Sequence, residues 1–375
     1  MQNPFKYGIR VSGSSFFDRT KVKRAMLNTL DGGSNIVLYG PRRYGKSSLV
    51  GELLNDLRQR GIACAELNLM DIASLDDFIA KFARAVYREL APVAGALNQV
   101  ANLFKRITPT VGIDNEGRPE LKFTITSAKA SIEALRDVLE LPNKLCSGRQ
   151  KMVIALDEFQ EVADLGLGLQ FERTMRSIVE RQTNVSYIFL GSKSHLIERM
   201  FSAKSRPFYN SAQKFLLARP PADESVAFLI SRFKSSGLAL AKPLADEMVR
   251  RADNVPYYLQ ALGFWVFNAA AGRNAKSVSQ SDVEEGFSDL YETERILLED
   301  TFSSHSQSQR LLMRALALEP TSIFNEAYRN RHALASTSTV NTALRRLLSE
   351  STIECDSGAY RLANPLLTHH LARQA

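Results

Sequence analysis

The sequence predicts an α/β fold built on a parallel sheet with helices on both faces, followed by helical segments. A short apolar run, Ile36 to Tyr39, ends at a glycine-rich loop and passes at once into a helical pattern. A second run, Met152 to Leu156, is equally short and continuous, which is typical of a strand covered on both faces. Strand and helix patterns alternate between these runs, and that order favours a parallel sheet.

The first run leads into a loop that reads Gly-Pro-Arg-Arg-Tyr-Gly-Lys-Ser-Ser. The fixed positions of the P-loop pattern G-x-x-x-x-G-K-[ST] are Gly40, Gly45, Lys46 and Ser47. The backbone N–H groups of such a loop turn inward around a phosphate, and side chains at the glycines would obstruct that turn. We expect Lys46 to reach the β and γ phosphates of a nucleotide, and Ser47 to ligate Mg²⁺. The helix that follows aims its N-terminal dipole at the same anion.

The second run delivers Asp157 and Glu158 to the carboxyl end of its strand, where ligands bind in open α/β sheets. In P-loop enzymes the first acid holds Mg²⁺, and the second orients and deprotonates the attacking water. Taken alone, a strand that ends in two acids is equally consistent with a solvated strand end. Its position about a hundred residues after the P-loop favours the catalytic interpretation.

A third strand, Ser186 to Leu190, again places a small polar side chain at a carboxyl edge. Ser192 is a candidate sensor of the γ phosphate or of the attacking water. The alternative is that Ser192 caps a helix from His195 to Phe201. Both interpretations stay open at the level of the sequence.

The remaining patterns divide the chain into three predicted domains. Residues 1–219 form the P-loop domain, in which two alternating segments around Asn115-Glu-Gly-Arg predict an inserted hairpin. Residues 220–302 show helical patterns without strands and predict a small helical lid domain. Residues 303–375 show three helical patterns and two short strands around Asp356-Ser-Gly, which predict a winged helix-turn-helix.

Composition is that of a folded protein, with 45% apolar and 23% charged residues. The net charge of +8 is spread along the chain, so it permits contact with nucleic acid without indicating it. The longest apolar stretch, Tyr257 to Gly272, is too short and too polar to span a bilayer. Three widely spaced cysteines and an opening segment without an apolar core predict a cytoplasmic protein.

With these motifs in order, the sequence resembles the archaeal-type ATPases of the AAA+/STAND branch, which are relatives of the origin-recognition ATPases. The segments that carry the resemblance are FFDRTKV (from Phe16), GPRRYGKSSL, VIALDEFQEV, FLGSKSHL, RPFYNSAQKFLL, NVPYYL and YRLANPLLTHHL. One departure is Asn254, which stands where such proteins often have the glycine of Gly-x-Pro. This departure weakens the expectation that Pro256 responds to the nucleotide.

The resemblance implies an ATP site between the P-loop and helical domains. The implied contacts from the loop are Gly40, Pro41, Arg42, Arg43, Tyr44, Gly45, Lys46, Ser47 and Ser48. Arg19, with residues near Phe5 and Tyr7, would lie close to the base. Arg206 is the first candidate for an arginine that completes the transition-state charge, and the alternative is a surface arginine beside a turn. Arg42 and Arg43 are expected to face solvent or a partner rather than the phosphates.

The third helix of the predicted winged helix presents one polar side, which is the side that a recognition helix lays in a major groove. Its members are Ser338, Asn341, Thr342, Arg345 and Arg346. The partner is then double-stranded DNA, contacted through Asn341, Arg345 and Arg346, or else a protein.

The resulting hypothesis is an ATP-hydrolysing, Mg²⁺-dependent switch that assembles into homo-oligomers and exposes its winged helix according to the bound nucleotide. The alternative is a DNA-binding regulator that is stabilised by nucleotide with little turnover. A scaffold with a degenerate site is disfavoured, because the lysine, serine and two acids of the motifs are all present.

Overall fold

A computed structural model describes residues 2–13, 16, 19–90, 107–113, 119–125, 131–146, 150–165, 168–192, 194–321, 323–356 and 358–374. The chain divides into two compact units. One comprises Met1–Arg19, Pro41–Ser48 and Ala218–Ala375, and the other comprises Thr20–Gly40 and Leu49–Leu217. Residues Pro41–Ser48 of the P-loop, or phosphate loop, thus belong to the unit that holds the helical and winged-helix segments. The first glycine of the loop, Gly40, and the sheet belong to the other unit. The predicted division into three domains stays a prediction.

The strands are β1 (Ile36–Tyr39), β2 (Ala63–Asn68), β3 (Ile107–Ile113), β4 (Pro119–Ile125), β5 (Met152–Asp157), β6 (Val185–Gly191), β7 (Gln213–Leu216), β8 (Ile353–Asp356) and β9 (Ala359–Leu362). The helices are α1 (Thr20–Asp31), α2 (Lys46–Gln59), α3 (Leu75–Leu90), α4 (Ser131–Leu145), α5 (Leu169–Val179), α6 (Ser194–Ser202), α7 (Ala222–Ser235), α8 (Lys242–Arg251), α9 (Pro256–Gly272), α10 (Gln280–Ser303), α11 (Gln307–Leu318), α12 (Glu326–Arg331), α13 (Thr337–Ser349) and α14 (Pro365–Ala372). Helices α1, α5 and α14 were not predicted from the sequence.

Five parallel strands form the central sheet in the order β2-β5-β6-β1-β7. The register pairs Leu38 with Leu190 and Asn68 with Asp157. Because all five strands run in the same direction, their carboxyl ends meet at one edge of the sheet. The strand that precedes the phosphate loop and the strand that carries the two acids therefore end at the same edge.

Both faces of the sheet are buried, as the continuous apolar runs predicted. In a strand, successive side chains point to opposite faces. Ile154 and Phe189 belong to the core cluster that includes α3, α4 and α5, while their neighbours Ala155 and Ile188 are buried outside that cluster. The predicted fold class, a parallel sheet with helices on both faces, is confirmed.

The predicted inserted hairpin is also confirmed, since β3 pairs with β4 in antiparallel register from Ile107 with Ile125 to Ile113 with Pro119. The turn proposed for it, Asn115 to Arg118, lies outside the described residues.

The other unit combines the helices α7–α10 with the winged helix, in which β8 and β9 form an antiparallel hairpin. Its N-terminal segment inserts Phe5, which is 2% exposed, where a Cβ atom on Gly263 would meet the ring at 2.6 Å. Capping boxes begin two of its helices, at Ser279 for α10 and at Ser306 for α11. Across the described residues, no helix has both the length and the apolar character needed to cross a membrane.

Candidate functional site

The phosphate loop has the backbone that its glycines predict. A Cβ atom on Gly40 would lie 2.6 Å from the carbonyl oxygen of Leu217, so no larger residue fits there without a shift of backbone. Gly45 has a φ of 86°, in the left-handed region that favours glycine. Helix α2 begins at the next residue, Lys46, which places a helix N-terminus directly after the loop.

The polar side chains of the loop are held by contacts within its own unit. Lys46 is 6% exposed, and its Nζ donates to the carbonyl oxygen of Pro41 at 2.8 Å. The Lys46 ammonium thus binds an oxygen of the loop itself. The hydroxyl of Ser48 accepts a hydrogen bond from the backbone N–H of Val11 at 3.2 Å.

Both arginines of the loop are exposed, as expected, and Arg43 makes further contacts. The guanidinium of Arg43 lies 4.6 Å from the ring centre of Tyr257 and donates to the hydroxyl of Tyr258. The carbonyl oxygen of Arg43 also accepts from the backbone N–H of Tyr257 at 3.3 Å. Arg43 therefore packs against the first turn of α9, which begins at Pro256, rather than facing only solvent or a partner.

The side chain of Tyr44, 3% exposed, points to residues that sequence reasoning missed. Its hydroxyl donates to the two carboxylate oxygens of Glu354 at 3.0 and 2.9 Å. Arg219 donates to the same carboxylate at 2.5 Å and to Asp253 at 2.7 Å. Burial raises the pKa of Glu354 although Arg219 opposes the shift. The only sequence signal was an acid beside Ile353 in a strand pattern.

The two acids of the other unit stand at the carboxyl end of β5. The Asp157 carboxylate accepts from the backbone N–H of Glu158 at 2.9 Å. Glu158 has a φ of 52°, an uncommon left-handed value for a residue with a side chain, and it precedes a 3₁₀ helix from Phe159 to Asp164. This turn ends the strand directly after Asp157.

Glu158 and Ser192, which the sequence placed on two different strands, are brought together. One carboxylate oxygen of Glu158 accepts from the Ser192 hydroxyl at 2.8 Å, from the Ser192 N–H at 3.2 Å and from the amide of Gln160 at 2.5 Å. Ser192 is 3% exposed. Its side chain therefore binds the predicted general base, and its role as a sensor of the nucleotide stays a prediction.

Gln160 is a further residue that sequence reasoning missed. A Cβ atom on Gly191 would approach its side-chain oxygen to 2.6 Å and the Cβ of Ile197 to 2.9 Å. Gly191 thus leaves the space in which Gln160 reaches Glu158. The segment Asp-Glu-Phe-Gln contained this signal, but nothing in it indicated a bond from the glutamine to the glutamate.

Arg206, the first candidate for a transition-state arginine, forms an ion pair with Glu172. The side chain of Glu172 is 1% exposed and that of Arg206 is 25% exposed. Burial raises the pKa of Glu172, and Arg206 counteracts that shift. The pair has a structural role within its unit, and the role of Arg206 in turnover stays a prediction.

Two residues assigned to the site by resemblance lie in the unit of the phosphate loop. Arg19 donates to the carbonyl oxygen of Ala218 at 2.8 Å, and burial lowers its pKa to about 10. Asn254, two residues before the buried Pro256, has a φ of 53°. Asparagine tolerates this conformation, which explains how it replaces the expected glycine. Its amide also donates to the carbonyl oxygen of Pro220 at 2.6 Å.

The predicted recognition helix is α13. Arg345 and Arg346 are exposed, and Asn341 is partly buried on the same helix. Arg346 pairs with Glu350 at 2.5 Å, one turn further along. The polar side of the helix is therefore accessible within its unit.

Solved structures of other proteins resemble this fold. A Walker-type ATPase of Pyrococcus abyssi superposes with a TM-score of 0.66, covering 98% of this chain and 99% of that one at 19% identity. The chain has the fold of this archaeal ATPase. The ORC2 protein of Aeropyrum pernix, in ADPNP–ADP complexes, gives a TM-score of 0.59 at 14% identity over 94% of this chain and 90% of that one.

A third neighbour is the ORC1 protein of Aeropyrum pernix in complex with DNA, with a TM-score of 0.51 at 14% identity over 96% of this chain and 94% of that one. A family model described as "Probable winged helix domain" matches residues 279–373. No curated protein matches the sequence. The predicted likeness to archaeal ATPases and the C-terminal winged helix are confirmed at the level of the fold, while the assignment to the STAND branch stays a prediction.

Proposed function

We propose that the chain is a Mg²⁺-dependent ATPase that works as a switch, with the winged helix as its output module. The observation that carries the proposal is the carboxylate of Glu158, which three hydrogen bonds from Ser192 and Gln160 hold at the carboxyl end of β5. Left-handed backbone is energetically unfavourable for a residue with a side chain, and it occurs most often at functional sites. The oriented carboxylate of Glu158 therefore favours a catalytic role over a simple strand end.

The phosphate loop has the features needed to bind the phosphates of ATP. Gly45 turns the backbone, α2 supplies a helix N-terminus, and Lys46 already binds an oxygen atom of the loop. A phosphate oxygen can replace that carbonyl as the partner of the ammonium. Ser47 and Asp157 are the proposed oxygen ligands of Mg²⁺, which would neutralise the charge that develops on the phosphates.

In this proposal Glu158 accepts the proton of the attacking water. The hydrogen bonds from Ser192 and Gln160 fix the direction of its carboxylate. Burial of Ser192 keeps competing solvent from the oxygen that accepts these bonds.

The proposal is tested by measuring nucleotide binding and turnover separately. Lys46→Ala should lose nucleotide binding. Glu158→Gln should keep binding and lose turnover by about 10²- to 10⁴-fold, which is the usual contribution of a general base. Glu198→Gln removes the same charge from an exposed position on α6 and is the control. Equal turnover in the wild type and Glu158→Gln would contradict the assignment of the base.

A second candidate function is supported by the winged helix and by the DNA complex of the structural neighbour ORC1. In this alternative the chain is a DNA-binding regulator in which nucleotide stabilises the fold with little turnover. From Ser303 to the end there are eight arginines and five acids, an excess that suits a few phosphate contacts. Nucleotide binding without turnover in the wild type would favour this alternative.

The proposed switch also includes ATP-dependent self-association. Its test is the molar mass of the protein with ATP analogue, with ADP and without nucleotide. A mass that stays constant in all three states, together with a specific activity independent of protein concentration, would remove assembly from the proposal.

A further inference from the structure

One buried polar cluster joins the phosphate loop directly to the winged helix. Its members come from four separate segments: Tyr44 of the loop, Arg219 after β7, Asp253 before α9 and Glu354 on β8. The Tyr44 hydroxyl reaches both oxygens of Glu354 within 3.0 Å, and the Arg219 guanidinium also lies 5.6 Å from the Tyr44 ring centre. All four residues belong to one compact unit.

The cluster is sensitive to the loss of Tyr44 or Arg219 because the Glu354 carboxylate that they bind is buried, whereas the Asp253 side chain is 39% exposed. The side chains of Glu354 and Arg219 are 7% and 14% exposed. A carboxylate in such surroundings depends on its donors, and removing one partner leaves a desolvated charge. The Tyr44 hydroxyl therefore makes a directional contact with the winged helix rather than a loose surface contact.

Tyr44 is placed to respond to a phosphate. It directly precedes Gly45 and Lys46, whose backbone N–H groups and ammonium would turn toward the anion. A phosphate oxygen can replace the carbonyl oxygen of Pro41 as the acceptor for the Lys46 ammonium. A change of the backbone dihedral angles at Tyr44 would redirect its side chain and its hydroxyl.

Glu354 is in a position to transmit a movement of Tyr44 to the winged helix. It lies on β8, where it is paired in register with Arg361 of β9. A shift of the carboxylate thus moves the β-hairpin that forms the wing. The contact between Tyr44 and Glu354 links the phosphate loop to the wing directly. Along the chain, the two are connected only through the helical domain.

We propose that the hydrogen bond between Tyr44 and Glu354 is a latch between the phosphate loop and the wing, and that phosphates in the loop release it. The inference rests on the proposed nucleotide binding and adds its regulation. Since coupling between two sites is reciprocal, release of the latch should raise nucleotide affinity. The wing is then a regulator of the loop as well as its output.

The test combines nucleotide affinity with hydrogen exchange of the backbone amides of residues 353–362. In the wild type, ATP analogue with Mg²⁺ should increase exchange in this hairpin. Tyr44→Phe keeps the ring and removes the hydroxyl, so its hairpin should exchange faster without nucleotide and no longer respond to it. Its nucleotide affinity should rise by about five-fold or more, the lower end of typical coupling.

Two further variants separate the contributions. Glu354→Gln keeps an oxygen that can accept from Tyr44 but loses the charge that Arg219 binds, so its hairpin should still respond, more weakly. Tyr328→Phe removes a buried hydroxyl of the winged helix that donates to the carbonyl oxygen of Glu319 at 3.1 Å. It is the matched control and should behave as the wild type.

The outcomes distinguish the latch from the proposed function. If the wild type binds nucleotide and the hairpin response is the same in Tyr44→Phe, the latch is wrong while the ATPase proposal stands. If the wild type binds no nucleotide, both are wrong. Loss of the response in Tyr44→Phe and Tyr328→Phe alike would show a general loosening of the winged helix and would also overturn the latch.

Discussion

The hydroxyl of Ser192 donates to the carboxylate of Glu158 over 2.8 Å, although the two residues are 34 positions apart in the sequence. The bond ties the end of β6 to the end of β5. It makes the proposed sensor a positioning residue for the proposed base.

Ser192→Ala should lower turnover about ten- to hundredfold and leave nucleotide affinity unchanged. A hydrogen bond to a charged group contributes about 1.5–3 kcal/mol, and about 1.4 kcal/mol corresponds to a factor of ten in rate. The backbone N–H of Ser192 and the amide of Gln160 remain to hold the carboxylate. Ser186→Ala, buried on β6, which ends one residue before Ser192, is the control. A change in affinity with unchanged turnover would instead indicate direct contact with the nucleotide.

A second prediction concerns Arg206. Arg206→Ala should lower the free energy of unfolding by up to about 3–5 kcal/mol, because it leaves the carboxylate of Glu172 buried without its cation. The variant that combines Arg206→Ala with Glu172→Gln should recover part of this loss, since the unpaired charge is gone. Chemical denaturation of the single and combined variants measures both effects.

The same variants decide what Arg206 does in turnover. If Arg206→Ala kept the stability of the wild type but lost turnover, the ion pair would be incidental and the transition-state role would gain support. If the combined variant regained turnover along with stability, the arginine would be structural.

A third prediction concerns pH and the start of α10. Asp282 is fully buried and accepts from Arg273 Nε at 2.7 Å and from the Ser279 N–H at 2.8 Å. Burial alone would raise its pKa, but these hydrogen bonds outweigh burial and lower it below its ordinary value. Because the folded-state pKa is the lower one, the stabilisation is present above the unfolded pKa of about 4 and is lost as pH falls through the folded value.

Asp282→Asn should therefore lower the free energy of unfolding at pH 7 by about 1.5–3 kcal/mol, the usual contribution of a hydrogen bond to a charged group. The free energy of unfolding of the variant should also fall less steeply below about pH 4 than that of the wild type. Asp289→Asn, exposed on the same helix, is the control. Urea midpoints at pH 7 and at several values below pH 5 provide the measurement. Parallel pH profiles for the wild type and Asp282→Asn would contradict the assignment.

Local patterns predicted the sheet and the two motifs, because a buried strand and a phosphate loop are each encoded within a dozen residues. The contacts between residues far apart in the sequence could not be predicted in this way. Tyr44 and Glu354 are 310 positions apart, and nothing near either residue indicates the other. Helix α5 was missed although its buried residues Phe171, Met175 and Ile178 follow a helical spacing. The buried Glu172 departs from that pattern because it pairs with Arg206, 34 positions away.

The last prediction concerns the exposed arginines of α13. If the winged helix binds duplex DNA, Arg345→Ala combined with Arg346→Ala should weaken binding and reduce the slope of log affinity against log salt by about 2, one contact per arginine. The ion pair of Arg346 with Glu350 does not prevent this, since the Arg346 side chain is 70% exposed and an exposed pair contributes little.

The control removes two charges elsewhere in the same unit, by Arg250→Ala with Arg295→Ala, both exposed. An equal loss of slope in the control would indicate that only net charge matters and that α13 is not the contact. Binding is measured across several salt concentrations with ATP analogue, with ADP and without nucleotide. Undetectable affinity in all three states would make the partner a protein. Strong but identical affinity would show that the winged helix binds DNA independently of the nucleotide, and the switch would then be wrong even if the ATPase were right.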